Sequence, residues 1–116
     1  MNSTIFITYS VEGFHKWEDA TGKRAYLANL HRHLFKVKVT MSVFHEDREV
    51  EFHDLLDQCK SYSEVFKECP TWSCEMHAKY LIDELQKRYS DRLIQVEVSE
   101  DGECGATVQF NPRRDD

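Results

Sequence analysis

The stretch from residue 31 to residue 43 constrains the fold most, because its side chains alternate in character at nearly every step. One set of alternate positions holds His31, His33, Phe35, Val37, Val39, Met41 and Val43. The other set holds Arg32, Leu34, Lys36, Lys38, Thr40 and Ser42. Successive side chains of a β-strand point to opposite faces, so this pattern predicts a long strand with one face on a core.

Shorter patterns predict the remaining elements. Strands are expected at residues 5–11, 93–98 and 106–110, with a hairpin turn at Asp101-Gly102 and a polar loop over residues 12–22. Residues 23–29 are expected to form a helical turn or an irregular segment. A helix is expected within residues 50–66, capped by Asp54 or Ser61, and a second one from Thr71 or Ser73 to about Tyr89.

The order of these elements is ββααββ, which predicts an α+β fold. We expect one domain over residues 1–116, with a four-stranded, mostly antiparallel sheet and both helices on one of its faces. Such a sheet has a bare face and two open edges, so self-association is expected.

Charge and cysteine usage narrow the possible partners and compartment. The formal net charge is −6, which argues against a nucleic acid or an anionic membrane as partner. No apolar run approaches the roughly 18–20 residues that a membrane helix needs, and the start of the chain lacks the pattern of a secretory signal. The four cysteines form no C-x-x-C pair, so we expect free thiols in a cytoplasmic protein and no cysteine zinc site.

Three histidines predict a metal site. His31 and His33 project from one face of the predicted strand and can reach one ion. If the first two strands pair antiparallel, His15 lies beside them. Three histidines with an open fourth position are typical of catalytic or ligand-binding zinc sites. The alternative is that they are partly buried histidines with local hydrogen bonds; His45, His53 and His77 are interpreted as ordinary surface or capping residues.

Several segments resemble one family. Phe14-His15 and residues 30–37 (Leu-His-Arg-His-Leu-Phe-Lys-Val) resemble the zinc motif of the 6-pyruvoyltetrahydropterin synthases, written LHGHNYxV in their bacterial relatives, the QueD 6-carboxytetrahydropterin synthases. Residues 51–55 resemble the family's DFxDL segment, and residues 96–100 its VxVxE strand. Pro70-Thr71 with Glu75 and Ala78 resembles its PTxExxA segment with two residues inserted. The likeness follows the family order along nearly the whole chain.

The resemblance implies a tunnelling fold (T-fold), assembled as a trimer or hexamer with active sites between subunits. It also implies zinc held by His15, His31 and His33. Glu100 matches the residue that anchors the pterin ring, and a carboxylate can accept two parallel hydrogen bonds from an N–C–N edge. Without the resemblance, Glu100 is interpreted as an exposed hairpin carboxylate.

The chain departs from the family at the proton-transfer residues. Leu27 stands where the family has its general-base cysteine, and no LDH motif lies between Ser61 and Pro70. Arg32 replaces the usual glycine. Cys74 and Glu75, at the start of the second helix, are the candidates for a substitute base, since a helix N-terminus can lower a thiol pKa. The alternative for Cys74 is a small buried helix residue.

Two functions follow from this pattern. The first is a divergent zinc-dependent carbon–oxygen lyase of the tetrahydropterin synthase type, acting on a dihydropterin triphosphate or a related bicyclic heterocycle. The second is a T-fold protein that binds a pterin, deazaguanine or purine-like ring without turnover, which the missing proton-transfer residues favour. A third possibility is an oligomer in which zinc serves stability alone.

Overall fold

The alternating stretch forms an interior strand of a four-stranded antiparallel sheet. The computed structural model describes residues 3–112. Its strands are β1 (Ser3–His15), β2 (His31–Val43), β3 (Ile94–Glu100) and β4 (Cys104–Phe110). They lie side by side in the order β1-β2-β3-β4, each antiparallel to its neighbour. The α+β class and the antiparallel sheet agree with the sequence analysis.

Strand β1 is longer than the sequence pattern predicts, and the predicted loop from Glu12 is wrong in its first four residues. Pairing with β2 continues through Gly13, opposite His33, to His15, opposite His31. On the exposed face, Arg32 Nη2 donates to Glu12 Oε2 at 2.7 Å. Cross-strand pairing therefore holds this segment extended, although its sequence does not alternate.

Residues 3–112 contain two α-helices, α1 (Phe52–Ser63) and α2 (Cys74–Gln86). Helix α1 is capped by the Glu51 carboxylate and not by Asp54 or Ser61. Of the two caps expected for α2, Ser73 is used: its hydroxyl accepts a hydrogen bond from Met76 N. Helix α2 ends at Gln86, short of the end at about Tyr89 that the sequence pattern predicts.

Two 3₁₀ helices in the described part of the chain add to the predicted order. One, Gly22–Ala28, joins β1 to β2, and the other, Glu64–Glu68, follows α1. The first of these helices covers most of residues 23–29, where either a helical turn or an irregular segment was expected.

Both α-helices pack on the same face of the sheet, α1 against β1 and α2 against β3 and β4. The core between them is formed by alternate strand residues and the inner faces of the helices. Its fully buried members include Phe35, Val37, Val39, Met41, Leu55, Phe66, Leu81, Leu85, Ile94, Val96 and Val98. No helix within residues 3–112 is long and apolar enough to cross a bilayer.

Candidate metal centre

The core face of the sheet ends in three histidines. His15 is paired directly with His31 across β1 and β2, and His33 lies two residues further along the same face. Their ring centroids are 4.5 to 4.9 Å apart. One nitrogen of each ring lies within 4.8 Å of the others, so the three can hold a metal ion. The structure thus brings together the three histidines that the sequence analysis singles out.

Hydrogen bonds set which ring nitrogens face the centre. His31 Nδ1 lies 2.8 Å from the carbonyl oxygen of Asn29, and since a carbonyl only accepts, Nδ1 carries the proton. His33 Nδ1 lies 2.7 Å from Asp101 Oδ2 and donates to that carboxylate in the same way. The Nε2 atoms are left as lone-pair donors, the arrangement that outer partners impose on metal-binding histidines.

His15 is more buried than His33, with 12% and 21% of the side chain exposed. Its Nε2 and that of His31 are buried and have no hydrogen-bond partner. Burial lowers the pKa of His15, while the nearby Glu100 carboxylate opposes that shift and the other two histidines reinforce it. The ring is therefore neutral at pH 7, which is the form that binds a metal.

These residues fit a zinc ion. Nitrogens bound at the ~2.0–2.1 Å typical of Zn–N bonds lie roughly 3.4 Å apart around a tetrahedral ion, so small side-chain rotations suffice. Two unpaired buried Nε2 atoms and two rings oriented by outer acceptors support this fit. Imidazole also suits other transition metals.

Glu100 reaches this centre from the end of β3, where it pairs with Phe35. Its Oε2 lies 2.9 Å from His15 Nε2 and 3.9 Å from His33 Nε2. The shorter contact does not have the geometry of a hydrogen bond, and His15 Nε2 has no hydrogen-bond partner.

A cavity of about 250 Å³ opens beside His15 and Glu100. Two aromatic side chains, Trp17 and Trp72, line it, together with Lys16, Thr71, Ser73, Cys74, Glu75, Cys104 and Gly105. A larger concavity of about 660 Å³ lies over exposed side chains of the sheet such as Lys36, Lys38 and Glu97. None of the described residues lining that concavity is a histidine, so the smaller cavity is the one with metal-binding chemistry.

Cys74 and Glu75 lie in this cavity wall, but Cys74 is not an activated thiol. Burial first, then the carboxylates of Glu100 and Glu75 and the neighbouring Cys104, raise the pKa of Cys74 to about 12. The expected lowering by the helix N-terminus is therefore wrong, since burial and nearby negative charge outweigh the dipole. The thiol is protonated at neutral pH.

Leu27, at the position of the family's base, lies in the 3₁₀ helix between β1 and β2. Its carbonyl accepts a hydrogen bond from Trp17 N at 2.8 Å. A second link, from Lys16 N to the carbonyl of Pro70 at 2.8 Å, holds the segment before α2 against the end of β1. These bonds fix the cavity walls.

Two residues of interest escaped the sequence analysis. Asp101 served there as a turn signal only, although its carboxylate orients His33; its position next to Glu100 was the one available hint.

The interpretation of His77 as a surface residue is wrong. Its side chain is fully buried, with Nε2 3.1 Å from Ser63 Oγ, because position 77 lies on the inner face of α2. His53 is exposed, as expected.

Comparison with models of known protein families finds no match, and comparison with curated proteins finds none either.

Proposed function

We propose that this chain is a divergent relative of the 6-pyruvoyltetrahydropterin synthases and QueD enzymes. In this proposal it binds zinc through His15, His31 and His33 and acts on a dihydropterin triphosphate or a related bicyclic heterocycle. The observation that carries the proposal is the convergence of three histidines whose inner nitrogens lie within 4.8 Å of one another.

The cavity beside the histidines has the chemistry that a flat heterocycle requires. Trp17 and Trp72 offer aromatic surfaces for ring contact. Glu100 and Glu75 offer carboxylates that can accept paired hydrogen bonds from an N–C–N edge. By resemblance, Glu100 is the ring anchor. Bound zinc would supply Lewis acidity toward substrate hydroxyls.

Turnover of dihydroneopterin triphosphate tests the enzyme hypothesis. Zinc-loaded protein is incubated with this compound, and substrate and products are followed by chromatography and mass spectrometry. We expect a product that disappears with chelator and in His31→Ala, but persists in His53→Ala, an exposed histidine outside the cluster. Absence of any metal-dependent product would contradict the enzyme hypothesis.

A second function, binding without turnover, is favoured by the residues at the expected base positions. Leu27 cannot take a proton, and the thiol of Cys74 is protonated at neutral pH because its pKa is raised to about 12. This hypothesis predicts that a pterin or purine raises the melting temperature of the zinc-loaded protein without being consumed. The stabilisation should be lost in Glu100→Gln and retained in Glu103→Gln.

We also propose that the chain has the T-fold and assembles through its sheet edges. Strands β1 and β4 are the two edges of the described sheet, and pairing between copies would satisfy their free backbone groups. Light scattering should therefore give a mass that is three or six times the 13.8 kDa of one chain. A monomer would contradict this part of the proposal.

A further inference from the structure

Glu100 points at the histidines as well as lining the cavity. The carboxylate oxygen Oε2 contacts His15 Nε2 at 2.9 Å and approaches His33 Nε2 to 3.9 Å. Its position in the strand explains this direction. Ile94, Val96 and Val98 of β3 all face the core. Glu100 continues the same face opposite Phe35, next to the histidines.

The contact between Glu100 Oε2 and His15 Nε2 does not have the geometry of a hydrogen bond. His15 makes a backbone hydrogen bond with Trp72, and because Nε2 has no hydrogen-bond partner, that bond uses Nδ1. A neutral imidazole carries one proton, so Nε2 of His15 is an electron-rich atom 2.9 Å from a carboxylate oxygen. Two such atoms at this distance repel each other, and a cation bound to both would remove the repulsion.

The other two rings also carry their proton on the nitrogen that points away from the centre. His33 directs its Nδ1 proton to Asp101, and His31 directs its Nδ1 proton to Asn29. The Nε2 atoms of the three rings are therefore turned toward one region, with the ring protons on the outer side. Glu100 Oε2 lies beside two of these atoms, just outside the group whose nitrogens all lie within 4.8 Å of one another.

We propose that Glu100 is the fourth ligand of the metal in the ligand-free protein, giving a centre of three histidines and one carboxylate. The inference rests on the metal site of the proposed function and adds a residue to it. Oxygen donors such as carboxylates bind zinc at distances close to those of histidine. An incoming hydroxyl or carboxylate ligand must then displace Glu100, and a ring can be anchored by Glu100 only after this displacement.

Cobalt titration of the metal-free protein tests this assignment. Co²⁺ binding is followed by visible absorption, and affinity is measured by competition with a chelator, with no heterocycle present. In Glu100→Gln we expect a changed spectrum and a loss of affinity of about tenfold or more, since even the loss of an outer-sphere partner costs 10–100-fold. Glu103→Gln, which removes an exposed carboxylate from the same hairpin, should match the wild type.

Azide provides a second measurement that does not depend on affinity. If Glu100 occupies the fourth position, azide should change the cobalt spectrum of Glu100→Gln at concentrations that leave the wild type unchanged. Circular dichroism of both metal-free proteins checks that the variant is folded, and Glu100→Asp, which keeps a carboxylate, replaces it if it is not. Glu100→Asp should then bind cobalt, but with a lower affinity than the wild type and Glu103→Gln.

Two results separate this inference from the proposed function. Identical spectra, affinities and azide responses in wild type and Glu100→Gln would overturn the fourth-ligand assignment while the three-histidine site stands. A wild-type protein that binds no cobalt or zinc would overturn the metal centre itself, and the proposed function with it.

Discussion

Asp101 links the hairpin turn to the candidate metal centre. Its φ is +58° and that of Gly102 is +77°, the pair of positive values that a type I′ turn requires. The backbone N–H of Asp101 donates to Leu34 O, and its Oδ1 accepts from Leu34 N. Oδ2 is thereby directed to His33. These hydrogen bonds, that of Leu34 first and then that of His33, lower the pKa of Asp101, so His33 is oriented by an ionised carboxylate.

Replacing Asp101 by asparagine should weaken metal binding without disrupting the turn. Asparagine tolerates positive φ as aspartate does, but it has only one oxygen to serve both Leu34 N and His33 Nδ1. We expect a loss of metal affinity of about 10–100-fold in Asp101→Asn, measured by competition with a chelator. Glu103→Gln, in the same turn, is the control. Equal affinity in Asp101→Asn and wild type would rule out the orienting role.

His77 belongs to a buried chain of hydrogen bonds between α1, α2 and β1. The Tyr9 hydroxyl donates to the carbonyl of Cys59 at 3.1 Å. With that proton used, Ser63 Oγ, 2.6 Å away, donates to the Tyr9 oxygen, and His77 Nε2 donates to Ser63 at 3.1 Å. This direction leaves His77 Nδ1, which has no hydrogen-bond partner, as an acceptor rather than as an unpaired donor. His77 is thus a neutral structural residue, stacked on Phe66 at 4.0 Å.

Stability should fall below pH 6.5 because of His77. Burial lowers the pKa of His77 from 6.5 to about 4, so between these values the unfolded chain binds a proton that the folded chain does not. The contribution of His77 is full above pH 6.5 and is lost as the pH falls toward 4, by about 3 kcal/mol in total.

Urea unfolding of the metal-free protein at several pH values checks this expectation. His77→Gln, which cannot titrate and keeps a donor for Ser63, should show a shallower fall in the free energy of unfolding between pH 6.5 and 4. His53→Gln removes an exposed histidine and should keep the wild-type slope. The same slope in all three proteins would mean that His77 is not the group responsible.

At the scale of elements, the β3–β4 hairpin depends on Gly105. A Cβ at this position would lie 2.1 Å from Val98 O and 2.5 Å from Ser99 Cα. Both are backbone atoms of the paired strand, and Gly105 is directly opposite Ser99. The strands can approach this closely only because residue 105 has no side chain.

Gly105→Ala should therefore separate β4 from β3 and destabilise the protein by about 2 kcal/mol or more. Gly13→Ala is the matched control in β1, since its added Cβ would meet Phe35 and Phe66 at 3.5 Å, an ordinary contact distance. We expect that control to stay within about 1 kcal/mol of wild type. Chemical denaturation measures both, and similar stabilities for the two variants would contradict the clash.

The elements that could be predicted from sequence are those with a local pattern. Strand β2 alternates over its whole length and matches its prediction at both ends. The Asp101-Gly102 turn and the Ser73 cap follow from local backbone chemistry. Residues 12–15 of β1 could not be predicted, because Gly13 is buried by Phe35 and Phe66, which are distant in sequence.

The candidate site also has a part that could be predicted from local sequence and a part that could not. The spacing of His31 and His33 and the antiparallel pairing with β1 were enough to predict that three histidines meet. The partners that orient or modify the site depend on tertiary contacts: Asp101 is 68 residues from His33, and the pKa of Cys74 depends on its burial beside Glu100. No local pattern reveals such contacts.

At the scale of the whole molecule, the metal centre continues the hydrophobic core. Tyr9 and Val11 of β1, and Phe35 and Val37 of β2, lead along one face to the histidines. Phe35 contacts both His15 and His33 at its edge, with ring centroids 5.3 and 5.8 Å away. A metal bound there joins the ends of β1 and β2, where the sheet has no further core beneath it, so binding and folding are coupled.

Zinc should therefore raise the melting temperature of the protein. An ion that binds only the folded chain stabilises it by about 2.7 kcal/mol when its free concentration is a hundred times Kd, which corresponds to roughly 10 °C for a domain of this size. Differential scanning calorimetry with zinc and with chelator measures the shift. Since His31 supplies one of three nitrogens, His31→Ala should lose most of the increase, whereas His53→Ala should keep it. An equal increase in both variants would place zinc elsewhere on the protein, and no increase in the wild type would show that the three histidines do not form a metal centre.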